Sequence, residues 1–316
     1  MAMHLIPDSI HAYHSAFTTC PALASPRLPL HTLDDADLGV HNVTSRTTHR
    51  LVAPPDSHTG SDSDSEDSTA PARAWEAVYP AGSINPSGAI PGGFGFYVAG
   101  AGAFAPALEG GAQHVVVSYR MMLQGGWEWV KGGKLPGIFG GDGKLSYACT
   151  GGRKDNRCKC FNIRPMWRAN GQGELYTYLP LTDHNRERQL AVPPTSKANP
   201  DYGFSLGRGA FNFDVAVGRW ATVAFRLKLN TVGSEDGCVH LNHGSPPVSH
   251  SCQGELEFWI NGRSVIKVTG LMLRDSEASR IKGAHFQTFF GGHTEDWASP
   301  KEQKAWFADV TGLIVE

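Results

Sequence analysis

The sequence predicts an all-β protein, a single antiparallel β-sandwich or jelly roll over residues 74–316. Three observations lead there. Glycine (37) and proline (20) are abundant in the 316 residues, and helical-period runs are few. From Ala74 onward, short β-like runs alternate with glycine turns. Asn261-Gly262 stands between two such runs, the strongest short hairpin signal a sequence offers.

The strands follow in order. His114-Val-Val-Val-Ser-Tyr-Arg-Met-Met-Leu123 is dominated by β-branched and apolar residues. Asn162-Ile-Arg164-Pro-Met166-Trp-Arg168 and Tyr176-Thr-Tyr178 each carry polar residues at spacing two. Trp220–Leu229 alternates through Val223, Phe225, Leu227 and Leu229. Glu255–Ile260 and Arg263–Val268 are the arms of the Asn-Gly hairpin, and His285–Phe290 and Trp306–Val315 complete the set. Many short strands with turn signals point to a sandwich or jelly roll.

Residues 1–73 read as a low-complexity, flexible extension. Ser61-Asp-Ser-Asp-Ser-Glu-Asp-Ser68 is an acidic serine run that cannot bury enough apolar surface to fold alone. Residues 1–52 carry scattered apolar residues without clear period, enough at most to pack on the domain edge.

Composition excludes several functions. A formal net charge of −2, with no basic stripe, argues against nucleic acid as the ligand. No run of about 18 apolar residues is present, so no transmembrane helix is expected. The first residues lack the apolar core of an export signal, while the six cysteines pull the other way, leaving localisation open. Cys149 lies near Cys158 and Cys160, and Cys238 near Cys252, so disulfides across these loops compete with thiols and, more distantly, with a zinc site of unusual spacing.

The chemistry sits in three segments: Lys131-Gly-Gly-Lys134-Leu-Pro-Gly137, Asn162–Arg168 and Tyr176–Tyr178. In a strand, residues i and i+2 share a face, roughly 7 Å apart at about 3.3 Å rise. Asn162, Arg164 and Arg168 therefore share one face of one strand, and Tyr176 and Tyr178 one face of the next. Cations beside phenols suit an anionic sugar chain whose carboxylate must be neutralised while a proton moves. β-Elimination from a uronate removes the C5 proton, α to the carboxylate, so the developing charge needs Arg, Lys or Asn. A base then takes the proton and an acid protonates the leaving oxygen, roles open to Lys and Tyr. Each motif also has a bland reading: a turn with a solvated lysine, tyrosines packed in a strand, arginines on a solvated face.

In combination these segments resemble polysaccharide lyase family 14. Val130–Gly141, Arg164–Arg168 and Tyr176–Tyr178 carry the resemblance, with Leu229-Asn-Thr231, Asp236-Gly237, Phe258–Gly262 and Phe286–Gly292 following in the family's order. The resemblance covers about residues 76–316. It implies a jelly roll whose concave sheet binds a polyuronate, alginate or a glucuronic-acid polymer. No cofactor or metal is expected, because side-chain cations carry the neutralisation, and the chain is expected to be a monomer. It places the catalytic lysine on Lys134, the arginine on Arg164 and the paired tyrosines on Tyr176 and Tyr178. Asn162 stands where the family often has serine, and is expected with Arg164 on the carboxylate.

Around that set, Lys131 is expected at the cleft rim or in solvent. Arg168 is expected to share the face of Arg164 and to bind the carboxylate of a neighbouring subsite, and Gln287 to line the same face. Trp127 and Trp129 could stack on sugar or fill the core, and His293 follows Gly291-Gly292 at a loop. Two rival functions remain: a non-catalytic polyuronate-binding relative, with Asn162 as its clue, and a glycoside hydrolase. The hydrolase needs two carboxyls about 5–9.5 Å apart, for which Glu174, Asp142 and Glu128 are the nearest acids.

Overall fold

Alternation decides which side of each strand is wet. In Ser279–Phe290 the even-numbered Ala284, Phe286, Thr288 and Phe290 are buried in the interior, which leaves His285, Gln287 and Phe289 for the opposite face. Repeated over many strands, this pattern builds two antiparallel sheets closed over one apolar core.

The computed structural model describes residues 4–56, 70–232 and 254–315. In chain order its strands are β1 (Ser15–Thr18), β2 (Val40–His41), β3 (Arg50–Val52), β4 (Ala74–Tyr79), β5 (Phe94–Val98) and β6 (His114–Leu123). Then come β7 (Gly132–Lys134), β8 (Gly137–Asp142), β9 (Cys160–Arg168), β10 (Gln172–Tyr178), β11 (Lys197–Ala198) and β12 (Phe204–Asn212). The last are β13 (Ala221–Lys228), β14 (Gly254–Ile260), β15 (Arg263–Leu271), β16 (Ser279–Phe290) and β17 (Gln303–Ile314). Two short helices, α1 (Phe104–Gly110) and α2 (Asp183–Leu190), lie between strands. One sheet runs β15-β14-β13-β6-β17-β4-β3, with β1 on β17; the other runs β11-β12-β10-β9-β7-β16-β5-β2, with β8 between β9 and β16.

Aromatic rings lock the sheets together. Phe286 meets Trp75 at 5.4 Å, Phe96 at 5.7 Å and Tyr119 at 5.3 Å between ring centroids, joining strands of both sheets. Trp127 belongs to this core, stacked on Phe290, and Trp129 packs against it while its indole N–H donates to Asp214. Trp127 is therefore core, whereas Trp129 is half-buried at the edge of that core. The Asn261-Gly262 turn has φ of 47° and 75°, both positive, as a two-residue hairpin of the right twist requires.

The extension needs correcting. Residues 4–52 are part of the fold. β1 pairs with β17, β3 with β4 and β2 with β5, while Leu5, Phe17, Leu28, Leu33 and Leu38 are buried. The apolar residues here show no period because the segment contributes short strands to two different sheets. The acidic run 61–68 and Cys238 and Cys252 lie outside the described residues. Cys149 and Cys160 form a disulfide with Cα atoms 5.7 Å apart, so these two sulfurs are not metal ligands. No helix among the described residues is long and apolar enough to cross a membrane.

Candidate active site

β9 and β10 form a hairpin whose turn uses Asn170 and Gly171 at positive φ, 58° and 71°. Its register sets Tyr176 opposite Arg164, Tyr178 opposite Asn162 and Glu174 opposite Met166. On the other side of β9, Lys134 pairs with Met166 and Gly132 with Arg168; Lys134 also pairs with Phe289 of β16. Lys134, Arg164, Tyr176, Tyr178, Asn162, His285 and Gln287 thus share the outer face of one sheet. Gly133 permits this approach: a Cβ there would lie 2.0 Å from the Trp167 ring.

Lys134 is the centre of the group. Its Nζ donates to Tyr178 Oη at 3.2 Å and lies 4.5 Å and 4.8 Å from the ring centroids of Tyr176 and Tyr178. Burial in the cleft floor, reinforced by the guanidiniums of Arg164 and Arg168, pushes its pKa well below the usual lysine value. Burial raises both tyrosines, with Tyr178 also lifted by Tyr176. The result is an amine that sheds its proton early beside phenols that keep theirs.

Arg164 is 3% exposed, and its pKa falls to about 10, chiefly through burial. Its Nε donates to Leu135 O at 3.1 Å and one Nη to Gln287 Oε1 at 2.9 Å; the other Nη donates to the Gln287 carbonyl. These acceptors are all neutral. Among the described residues no carboxylate pairs with Arg164, so a buried cation waits for an anion. Gln287 therefore lines the face as the residue that aims Arg164.

Asn162 is buried opposite Tyr178. Its Nδ2 meets His285 Nδ1 at 2.8 Å, and its Oδ1 has no partner. His285 lies flat on Tyr97, with centroids 4.2 Å apart and planes 10° apart, and burial beside Arg164 and Lys134 keeps it neutral. In this arrangement Asn162 holds a buried, unpartnered acceptor beside His285. If the amide rotates and His285 takes the other tautomer, Nδ2 becomes the unpartnered group, a donor for a carboxylate.

Arg168 has a different occupation. Its Nε donates to Glu174 Oε1 at 2.8 Å, while Glu174 Oε2 accepts from Arg208 Nε at 2.6 Å and from Ser205. Glu174 is fully buried in this ion triad. Glu128 pairs with Lys301 at 2.8 Å, and Asp142 ends β8 opposite Ser279. The acids the hydrolase reading needed are thus tied up or set apart, and none forms a pair across the cleft. Lys131 is exposed, bound to Asp296 at the rim beside Trp297.

His293 reaches farther than a surface loop would. Its Nε2 and Tyr202 Oη are 2.6 Å apart. Tyr202 precedes β12, beyond the Thr177 end of β10, whereas His293 follows β16 beyond the Gly132 end of β7. These are diagonal corners of the sheet, so the two loops meet across the face that carries Lys134.

Sequence reasoning missed His285, Tyr97, Arg157 and Arg208. His285 stands two residues before Gln287, so the same spacing rule would have found it. Arg157, whose guanidinium lies 4.6 Å from the Tyr178 ring centroid, comes from an irregular turn and leaves no periodic trace.

Comparison with known proteins gives the family and the fold. The family model described as polysaccharide lyase 14 matches residues 67–251 and 246–310. No curated protein matches the chain. Among solved structures, the marine PL-14 alginate lyase from Aplysia kurodai is similar with a TM-score of 0.64 and 24% identity, covering 96% of this chain and 100% of that one. The alginate lyase vAL-1 from Chlorella virus is similar with a TM-score of 0.58 and 20% identity, covering 88% of this chain and 93% of that one. At these identities the structures speak to the jelly-roll fold, whereas the family model spans most of the sequence. The chain belongs to polysaccharide lyase family 14.

Proposed function

We propose that this lyase cleaves a polyuronate of the alginate or glucuronan type by β-elimination, one chain supplying the whole site. The observation that carries this reading is the contact of Lys134 with Tyr178 beside Arg164, a buried guanidinium with neutral partners only. The substrate carboxylate docks on the two unused N–H groups of Arg164, helped by Asn162 once its amide faces inward. Lys134, as free amine, removes the C5 proton. The C5–H electrons form the C4–C5 double bond as the C4–O bond breaks, and Tyr178 gives its proton to the leaving oxygen. Lys134 then returns the proton to the tyrosinate across their contact, and both groups are reset. Tyr176 holds the lysine by its ring and is itself fixed by Gly203 N–H, which donates to its hydroxyl at 3.2 Å.

The test is incubation with alginate, polymannuronate, polyguluronate and glucuronan, following ultraviolet absorbance of the unsaturated product, with Lys134→Ala in parallel. Absorbance that rises on one polymer and vanishes in the variant is expected. Retention on immobilised polyuronate without any product would establish a binding protein instead.

A further inference from the structure

We propose that a hollow at the β2 edge of the sheet is a distal subsite for a uronate carboxylate of the same polymer chain. The proposal rests on the polyuronate reading above. One register row leads from the catalytic group to it. Tyr176 is opposite Arg164, His285 opposite both Gly137 and Tyr97, and Tyr97 opposite His41. Gly137 closes the row, since a Cβ on it would lie 2.8 Å from Arg164 Cα. From β10 to β2 this is five strand spacings, about 24 Å, a path for several sugars. The rings of this row stack on one another, His285 on Tyr97 and Tyr97 on His41 at 5.8 Å and 27°, which holds them upright on the sheet as a rigid rail. The rail turns ring edges and the Tyr97 hydroxyl outward, and the adjoining Tyr147 hydroxyl hydrogen-bonds His41 at 2.9 Å.

The row ends at a hollow of about 440 Å³ lined by His41, Tyr147, Lys144, Lys282, Leu108 and Glu109, among others. Two ammonium groups face one carboxylate, and among the described residues neither lysine is ion-paired. Lys282 is there by construction. β16 carries a bulge in which Ile281 opposes Gly140 but Gly283 opposes Phe139. Ile281 and Ala284 both point into the core, so the residue after Ile281 is turned outward. Gly283, at φ 115°, cannot be replaced cheaply, because a Cβ would lie 2.1 Å from Val98 O. A bulge beside a cleft that re-aims a lysine toward the track of a polyanion indicates a binding role. Of the lining residues, His41 lies outside those the family model matches, so the N-terminal segment contributes one wall of the hollow.

The experiment uses the full chain and defined uronate oligomers of increasing length. In the unaltered protein KM should fall as the oligomer grows long enough to span the row. In Lys144→Ala/Lys282→Ala that gain should flatten, leaving KM on long chains roughly three- to tenfold higher. Glu109→Gln should lower KM on long chains by up to about threefold, a gain that misfolding could not mimic. A rise in KM equal at all lengths, or none, overturns the subsite. Calorimetric binding in a Lys134→Ala background separates the two proposals. If no polyuronate is cleaved but the two lysine replacements still weaken polymer binding, the subsite stands and the lyase reading fails. If polymer is cleaved while the double variant binds as the unaltered protein does, the subsite fails alone. Absence of binding to every polyuronate overturns both.

Discussion

Lys134 Nζ lies 3.2 Å from Tyr178 Oη although their strands, β7 and β10, do not pair; β9 runs between them. The contact exists because Lys134 reaches over Met166 toward the hairpin partner of Asn162. If amine and phenol exchange a proton in each turnover, they act as one unit. Tyr178→Phe should lower kcat by roughly 10²–10⁴ with a small change in KM, and Lys134→Ala should do the same. The double variant should be little worse than either alone. Additive losses in steady-state kinetics would count against the relay.

The pH profile follows from the two opposed shifts. Lys134 must be deprotonated, so kcat/KM rises as pH passes its lowered pKa. Tyr178 must be protonated and Arg164 charged; Tyr178 is raised above the ordinary tyrosine value while Arg164 falls to about 10, so loss of the guanidinium charge sets the alkaline limb. Arg168→Gln removes a cation near Lys134 and leaves Glu174 to favour the ammonium. The acid limb should move to higher pH in that variant; an unmoved limb would mean another group titrates there.

Stability should run against activity at the same position. Between the ordinary lysine value and the lowered folded one, the unfolded chain holds a proton that the folded chain does not. The stability associated with Lys134 is therefore lost as pH falls through that window. Lys134→Met should be inactive yet melt at a higher temperature than the unaltered protein, with a gap that widens as the solution is acidified from about pH 10. Calorimetric melting across pH checks the sign.

Glu174 is structural. Glu174→Gln strands two arginines around a neutral amide and should cost about 3–5 kcal/mol in denaturant unfolding. Whatever activity survives should still yield unsaturated ends. Saturated products would return the hydrolase reading.

The Cys149–Cys160 bridge anchors the start of β9 and packs against Tyr176 and Tyr178. Its loop is short, with a sequence separation of 11. Reduction or Cys149→Ser/Cys160→Ser should cost about 2–3 kcal/mol and lower kcat as β9 loosens. Melting curves with and without reductant, paired with rate measurements, check both effects.

The strands legible in the sequence are those that alternate or carry a turn code: His114–Leu123 matches β6 end to end, and Asn261-Gly262 turns where the dipeptide demands. The face shared by Asn162, Arg164 and Arg168 follows from spacing alone. Which strands lie beside β9 does not. Register across β8, β16 and β5 depends on loops and on the bulge at Lys282, neither of which leaves a period. The N-terminal segment was illegible for a related reason, since strands of two to four residues are too short to alternate visibly. Spacing gives the face of Arg168 and not its partner, so its ion pair with Glu174, on the next strand, was not legible.

The contact between Tyr202 and His293 turns an open trough into a loop-bridged passage. On the polyuronate reading, a polymer lying along that face passes under the bridge. Tyr202→Phe should then admit interior stretches more readily and lower the ratio of short to long products early in digestion; an unchanged ratio would mean that one hydrogen bond between two loops does not restrain the chain.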